Sequence, residues 1–391
     1  MTSAPSVLPF VRVAPRVLSI DVLRGLTIAL MILVNDPGDA GCVYPQLQHA
    51  EWNGYTAADL VFPNFLFLGG ASLVFSLQGR IERGADRWEL ARGLGRRGVN
   101  LIALKLVLAM LPSFRLRRIR IFGVLFRTAV CSVAGGLILL GTLEIPMLVG
   151  IVGAMLTGYY GALRISFGRM NAPLLDPENN LAAALDRKVA HLLHGELHTG
   201  ALYNVTHDPE GLLSSVPAVG TTLLGAVAAL VMRHPRLTQG QKVGVLAASG
   251  VGALGVGSVW GRSFPVNKNL WTSSYVLVAG GWSLLALGGI YWCLDVRRPS
   301  ARTLRAIRPA QIFGANALVA YAVSVAGHKV ARTVHVPCDG HSVSLRTFAY
   351  RRGFARGGST RLRSLGFAVA YAAVCFLPNL ILWRRKVFVK I

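Results

Sequence analysis

The amino-acid sequence predicts an all-α polytopic membrane protein, a bundle of about ten transmembrane helices with an external cap segment. The 391 residues are 53% hydrophobic and only 15% charged, whereas soluble domains usually carry about 25% charged residues. The apolar runs lie near the roughly 20 residues that an α-helix needs to cross the hydrocarbon core. They are continuous and do not alternate with polar residues, as the strands of a membrane barrel would.

Ten apolar runs give the predicted spans in chain order. The first five lie at 18–35, 57–78, 98–112, 121–140 and 143–163. The other five lie at 216–233, 241–259, 270–294, 309–330 and 363–383. The third run is the shortest and holds Lys105, and the fourth holds Arg127. We therefore expect a cytoplasmic tail over 1–17 and one transmembrane domain over 18–391.

The longest linker, 164–215, is rich in Asn, Pro, Asp and His, and we expect it to form an external cap over the membrane domain. Within it, His191, His194 and His198 share one predicted helix face, and Glu196 lies between them in sequence. They lack the HExxH spacing of zinc proteases. The sequence therefore predicts solvated surface histidines here and no metal site.

The distribution of Lys and Arg predicts the orientation, because these residues concentrate in cytoplasmic linkers. Linker 36–56 has no Lys or Arg, whereas linker 79–97 holds six arginines. This contrast places 36–56 outside and both termini in the cytoplasm. The arginines of 115–120 and the basic residues of 329–363 do not fit this orientation. Buried helix ends, an anion site or a miscounted span would each explain them.

The net charge of +24 does not predict nucleic-acid binding. The basic residues form short clusters between apolar runs and do not lie along one soluble face. Orientation in the membrane, with attraction to anionic lipid as a second cause, explains them more simply. We expect a lipid bilayer as the surroundings and no nucleic-acid partner.

Chemistry is expected around residues 49–70, which read HAEWNGYTAADLVFPNFLFLGG. His49 lies in a polar stretch that leads into an apolar helix carrying Asp59, and the preceding helix ends in Asn35. Polar and ionisable groups are costly in membrane helices and commonly functional. Imidazole titrates near neutral pH and suits proton transfer. A histidine that merely caps a helix at the interface is the structural alternative.

Six runs in one order resemble the membrane acetyltransferase family of heparan-α-glucosaminide N-acetyltransferase and its bacterial relatives. Besides 49–70, they are 19–35 (SIDVLRGLTIALMILVN), 123–127 (GVLFR), 208–225 (DPEGLLSSVPAVGTTLLG), 264–277 (FPVNKNLWTSSYVL) and 382–391 (LWRRKVFVKI). The resemblance covers roughly 18–391. It departs at Phe126, where the family has Gln, and after Asn35, where Asp-Pro-Gly-Asp is unusually acidic. The first departure removes an expected polar contact, and the second leaves the identity of the acceptor open.

The resemblance implies an acyltransferase that moves acetyl from cytosolic acetyl-CoA, its co-substrate, to an amino sugar or other saccharide across the membrane. It gives His49 the role of base or of acetyl carrier, so one-step and two-step transfer both stay open. Asn35 is expected to stabilise the oxyanion or to cap its helix. Asp59 is expected to orient His49 or to pair with Arg127 or Lys105.

Further residues are expected to bind the two substrates. Arg120 and Arg127 bracket the GVLF run and are candidates for the phosphates of CoA; snorkelling at the interface is the alternative for Arg120. Six residues at external span ends are candidates for the acceptor: Trp52, Asn53, Tyr55, Lys268, Asn269 and Trp271. The aromatic belt of the membrane interface is the alternative for the aromatic members of this group.

Cellular context also follows from the resemblance. The luminal domain of the animal enzymes has no counterpart in this sequence, and we expect a bacterial-type member in the inner membrane. The resemblance also suggests a homodimer. The rival function is a polytopic secondary transporter of a small polar solute, but the internal repeats and paired broken helices typical of transporters are not evident in the sequence.

Overall fold

A computed structural model describes residues 17–112, 119–170, 175–197, 202–203, 206–297, 299–338 and 341–389. These residues contain a two-stranded antiparallel hairpin, β1 His335–Cys338 and β2 His341–Ser344. They also contain the helices α1 Leu18–Asn35, α2 Ala57–Ile81, α3 Arg87–Met110, α4 Val124–Gly141, α5 Ile145–Met170, α6 Leu181–Leu197, α7 Ser215–Arg233, α8 Gln239–Trp260, α9 Ser273–Tyr291, α10 Ala301–Ala315, α11 Ala317–Thr333, α12 Leu345–Gly353 and α13 Arg361–Arg384.

The predicted all-α membrane fold is confirmed. Among the described residues, eight helices are long and apolar enough to cross a membrane: α1, α2, α4, α5, α7, α8, α9 and α13. Helices α10 and α11 pass the same test only together, and they are bent by 75°. The described chain therefore offers eight or nine candidate spans, which is fewer than the ten that the apolar runs predict.

The predicted third span, 98–112, forms the C-terminal part of α3. This helix is long, but it is not among the apolar candidates. Its charged residues include Arg87, Arg92, Arg96 and Lys105. On its other face, buried leucines of α3 pack against apolar residues of α4. The helix therefore exists as expected, but its charge makes it unlike an ordinary apolar span.

The predicted span 309–330 is broken at Asn316, between α10 and α11. The Asn316 backbone leaves helical geometry, with φ −130° and ψ 45°. Its side-chain amide donates to the carbonyl of Val387 at 3.1 Å and accepts the N–H of Val389 at 2.9 Å. The C-terminal segment of the same chain thus satisfies the amide at the break.

Contacts between chain segments identify the two ends of the bundle. At one end, the N–H of Gly38 donates to the carbonyl of Ser364, which joins the end of α1 to the start of α13. At the other end, the N–H of Leu18 donates to the Asp295 carboxylate at 3.0 Å. We call the first the site end. Because successive helices alternate in direction, the site end carries linkers 36–56 and 261–272 and the described parts of linkers 111–123 and 334–360.

The predicted cap, 164–215, contains the end of α5 and the helix α6. His191 is exposed on α6, while the side chains of His194, Glu196 and His198 lie outside the described residues. The part of the chain that the structure describes contains no group of three or more His, Cys, Asp or Glu residues placed to hold a metal ion. The external position of the cap stays a prediction.

Helices α2 and α7 approach each other at glycines. A Cβ atom on Gly70 would lie 1.7 Å from the carbonyl oxygen of Thr222. A Cβ atom on Gly225 would lie 1.8 Å from the carbonyl oxygen of Phe67. Small residues allow this close packing of helices in a membrane. The contact holds α2 in the core, and α2 carries Asp59 at its site end.

We expect Gly70→Ala to lower the melting temperature of the detergent-purified protein, because its methyl group would force α2 and α7 apart. Gly69→Ala is the matched control on the same helix, since no atom lies within 4 Å of a Cβ added there. Alanine also favours helix over glycine by about 1 kcal/mol, so this control should match or exceed the parent. Equal melting temperatures for the two variants would contradict the close contact.

Candidate functional site

A buried carboxylate organises the site end. Asp59 lies in the first turn of α2, and its side chain is 1% exposed. Its Oδ2 accepts the backbone N–H of Ala50 at 3.0 Å and that of Thr56 at 3.1 Å. Thr56 is the N-cap residue of α2, so a helix-capping arrangement also anchors the preceding loop.

The second oxygen of Asp59 binds two side chains. Its Oδ1 lies 2.8 Å from Nδ1 of His49 and 3.1 Å from Nζ of Lys268. A carboxylate oxygen only accepts hydrogen bonds, so the short distance assigns the proton of the neutral imidazole to Nδ1. The lone pair of His49 is then on Nε2. Lys268 Nζ also lies 3.0 Å from Nδ1, and its hydrogens can point to Asp59.

Lys268 comes to His49 from a distant part of the sequence. The linker 261–272 is joined to the loop before α2 by backbone and side-chain hydrogen bonds. The N–H of Gly54 donates to the carbonyl of Val266 at 2.7 Å, and the amide of Asn267 donates to Asn53 at 3.2 Å. These bonds fix the position of the ammonium group beside the imidazole.

A cavity of about 420 Å³ opens beside the imidazole. This volume lies in the usual range for small-molecule sites. The His49 side chain is 45% exposed, so the cavity can be reached from solvent. The side-chain amide of Asn35 makes no hydrogen bond to the described part of the chain and is available to a ligand. Six predicted residues line the cavity: Asn35, His49, Asp59, Arg120, Lys268 and Asn269.

Arg120 is bound by two carboxylates that had no assigned role in the sequence. It donates to both oxygens of Asp208, from Nε at 2.7 Å and from a terminal nitrogen at 2.6 Å, and it also donates to Glu210. Burial alone would lower the pKa of Arg120, but the bonds and charges of Asp208 and Glu210 hold this pKa above its usual range. The Asp-Pro-Glu sequence at 208–210, within the quoted run 208–225, is the sequence feature that could have identified these two partners of Arg120.

A second cavity, of about 540 Å³, adjoins the first. The two cavities share Arg120, Val124 and Glu210. Lys105 and Lys329 line the second cavity, and Lys329 donates to carbonyls at the end of α3. The Arg120 cluster therefore forms the partition between a cavity that contains the imidazole and a cavity lined by two lysines.

Two predicted binding residues lie in the protein core. Arg127 is fully buried, with its guanidinium carbon 4.7 Å from the centre of the Trp271 ring. It donates to the carbonyl of Gly211 and to the hydroxyl of Ser214. Trp271 donates in turn to the Thr221 hydroxyl at 3.1 Å. Neither Arg127 nor Trp271 lines the two cavities, and their roles in substrate binding stay predictions.

The other predicted acceptor residues lie around the cavity without lining it. The indole of Trp52 donates to the carbonyl of Leu175 at 2.7 Å and packs edge-on against His207. Asn53 accepts a hydrogen bond from the 261–272 linker, and Tyr55 is 41% exposed. Their roles also stay predictions.

Known proteins resemble this chain over most of its length. Residues 16–180 match the family model described as Heparan-alpha-glucosaminide N-acetyltransferase, catalytic. The chain is 28% identical over 340 residues to heparan-alpha-glucosaminide N-acetyltransferase of Homo sapiens. This alignment covers 72% of the chain and 49% of the human protein. It is 26% identical over 337 residues to the enzyme of the same name from Mus musculus, covering 73% and 50%.

The predicted family resemblance is thereby confirmed. The chain spans about half the length of these curated relatives. The matched range 16–180 contains Asn35, His49, Asp59 and Arg120, and it ends before Lys268.

We expect Asp59→Asn to destabilise the protein by about 3 kcal/mol, because it leaves the Lys268 ammonium group without its buried partner. Adding Lys268→Met to Asp59→Asn should remove the unpaired ammonium group. The double variant should therefore lose less unfolding free energy than the two single variants lose together. Thermal unfolding in detergent measures all three variants. Glu51→Gln, an exposed carboxylate in the same cavity wall, is the control. Strictly additive effects would show that Asp59 and Lys268 are not coupled.

Proposed function

We propose that this chain, which resembles the heparan-α-glucosaminide N-acetyltransferase family, is a transmembrane acetyltransferase. It would move acetyl from cytosolic acetyl-CoA to an amino sugar or other saccharide on the extracytoplasmic side. The observation that carries the proposal is the imidazole of His49, held by buried Asp59 at the wall of a cavity that Asn35 also lines. Such a pair suits proton transfer at neutral pH.

The chemistry requires a base with a free lone pair. The acceptor nitrogen or oxygen attacks the thioester carbonyl and loses its proton to Nε2 of His49. The tetrahedral intermediate then collapses, the carbon–sulfur bond breaks, and the imidazolium returns the proton to the CoA thiolate. The Asp59 carboxylate orients the ring through Nδ1 and stabilises its charged form.

Asn35 fits the oxyanion role because its side-chain amide faces the same cavity as the imidazole. One such donor contributes roughly 3 kcal/mol to stabilising the transition state. The alternative in which His49 carries the acetyl group itself uses the same lone pair as a nucleophile. In that case the acetyl group would bond to Nε2 before it reaches the acceptor.

The second cavity suits phosphate groups of the donor. Because this cavity lies at the site end, bound CoA would have to extend through the bundle from the cytoplasm. It adjoins the imidazole cavity at Arg120 and is lined by Lys105 and Lys329, and cations of this kind bind phosphate oxygens. Two carboxylates already bind Arg120, so Lys105 is the stronger candidate. Arg120 would then mainly position the wall between donor and acceptor.

The proposed orientation rests on the basic residues. The contrast between linkers 36–56 and 79–97 favours a site end outside the cytoplasm and cytoplasmic termini. Helix α6 and its neighbours in 164–215 would then cap the membrane domain from outside. A bacterial inner membrane and a homodimer complete the proposal, on the strength of the family resemblance.

The broken helix pair α10 and α11 is the feature that a secondary transporter would share. In transporters, such breaks expose polar backbone to the solute. Here the amide of Asn316 is bound to the C-terminal segment at Val387 and Val389. The break therefore resembles a structural junction more than a solute site, and acetyl transfer is the favoured function.

His49→Ala should lower the rate of acetyl transfer by a factor of about 100 to 10,000, the usual contribution of a general base. The assay follows acetylation of a panel of amino sugars by the purified protein with acetyl-CoA. His191→Ala, on the exposed face of α6, should leave the rate unchanged. If acetyl is carried on the enzyme, mass spectrometry of the parent without acceptor should find an acetyl group on His49. Full activity of the His49 variant would exclude this residue from the mechanism.

Lys105→Ala should raise the KM for acetyl-CoA by about tenfold, because it removes a charge-assisted contact to phosphate. The KM for the saccharide should not change. Steady-state kinetics with each substrate varied in turn measures both constants, and Lys188→Ala, an exposed lysine of α6, is the control. An effect on the acceptor KM alone would assign this cavity to the saccharide.

A further inference from the structure

Two more cavities lie side by side at the site end, around α12. One of about 770 Å³ lies between the segment after α1 and α12. The other, of about 360 Å³, lies between α11, α12 and α13. Arg346 lines both, so its guanidinium marks the place where they meet. Neither cavity has a role in the acetyl transfer described above.

The larger cavity is strongly cationic. Four arginines line it, Arg346, Arg351, Arg352 and Arg356, against the single carboxylate of Asp39. Among the described residues, no carboxylate forms an ion pair with Arg346, Arg351 or Arg356 within 4.0 Å. Arg351 and Arg356 are also exposed. The charge of this cavity is therefore open to an anionic ligand.

The smaller cavity is mainly apolar. Its wall is formed largely by Phe354, Phe367, Ala370, Tyr371 and Val374. Four of these belong to α13 beyond its first turn, and α13 is a candidate span. Val374 is 58% exposed on the surface of this helix, so the cavity can be entered from the hydrocarbon side.

The polar end of the smaller cavity faces the cationic one. There His328 is paired with buried Asp36, and Arg346 donates to the carbonyl of Pro37. Asp36 pairs with His328 and also interacts electrostatically with Arg346, whereas Arg351 and Arg356 line the cationic cavity, which Asp36 does not line. An apolar compartment thus adjoins a cationic compartment at one arginine.

We propose that these two cavities together bind one amphiphile, with a phosphate head group among the arginines and a hydrocarbon chain against α13. Arginine binds phosphate oxygens in a matching fork geometry. The adjoining apolar wall favours a chain over a free anion, because removing hydrocarbon surface from water is favourable. This site also accounts for the basic residues of 329–363 that do not fit the charge rule for orientation.

The position of this site next to the imidazole cavity suggests what the amphiphile carries. Asn35 lines the His49 cavity, while its neighbour Asp36 lines the apolar one, and adjacent Cα atoms lie about 3.8 Å apart. A saccharide linked through phosphate to a lipid would therefore present its sugar close to His49. This identification of the acceptor class rests on the proposed function, whereas binding of the amphiphile does not.

The test measures binding of radiolabelled dodecyl phosphate to the purified full chain. The protein stays in dodecyl maltoside micelles, so a neutral amphiphile with the same chain is present in excess throughout. Unlabelled dodecyl phosphate and inorganic phosphate serve as competitors. The variants are Arg351→Gln with Arg356→Gln in the cationic cavity, and Ala370→Trp in the apolar one. Their controls are Arg302→Gln with Arg305→Gln on exposed sites of α10, and Val369→Trp on the open face of α13.

Saturable binding should weaken by about tenfold or more in the double arginine variant and in Ala370→Trp, while both controls match the parent. Inorganic phosphate should compete far more weakly than dodecyl phosphate. Equal competition would reduce the site to one for a free anion, and unchanged binding in the double arginine variant would overturn the proposal. Binding to His49→Ala protein should equal that of the parent, so loss of acetyl transfer and loss of amphiphile binding are told apart.

Discussion

The site depends on one buried carboxylate. Asp59 joins three parts of the chain that are separate in sequence: the first turn of α2, the loop before it and the linker 261–272. Burying an ionised group without partners costs several kcal/mol, and here backbone N–H groups and two side chains supply those partners. Close packing at Gly70 fixes α2 in the core. The orientation of the His49 ring follows from this anchoring.

Much of the fold was predictable from the sequence, because continuous apolar runs of span length have few other uses. The bounds of α1, predicted at 18–35, agree with the structure. The failures have physical causes. The apolar pattern of the sequence does not predict the helix break at Asn316, because the hydrogen-bond partners of its amide lie about 70 residues away in the sequence. Helix α3 is the opposite case, a helix long enough to span whose charges remove it from the apolar set.

The candidate site was only partly predictable, since residue type does not reveal burial. The local run around His49 predicted His49, Asp59 and Asn35 as neighbours, and the structure places all three at one cavity. Three arginines and a lysine illustrate the limit. Arg127 lies against Trp271 in the core, and Arg120 is bound by two carboxylates. Arg346 lines a cavity whose other walls are mainly apolar. Of these four residues, Lys268 is the one that contacts the imidazole, and its distance in the sequence from His49 does not predict that contact.

The central claim is that the acyl group is transferred at His49 and Asn35. A cryo-electron microscopy map of the protein with a non-hydrolysable acetyl-CoA analogue tests it most directly. We predict that the acyl carbon lies in the His49 cavity, with space between it and Nε2 for an acceptor atom at a near-attack distance of about 3–3.5 Å. Its oxygen should lie within hydrogen-bonding distance of the Asn35 amide. An acyl group held beyond Arg120, out of reach of the imidazole, would contradict the account.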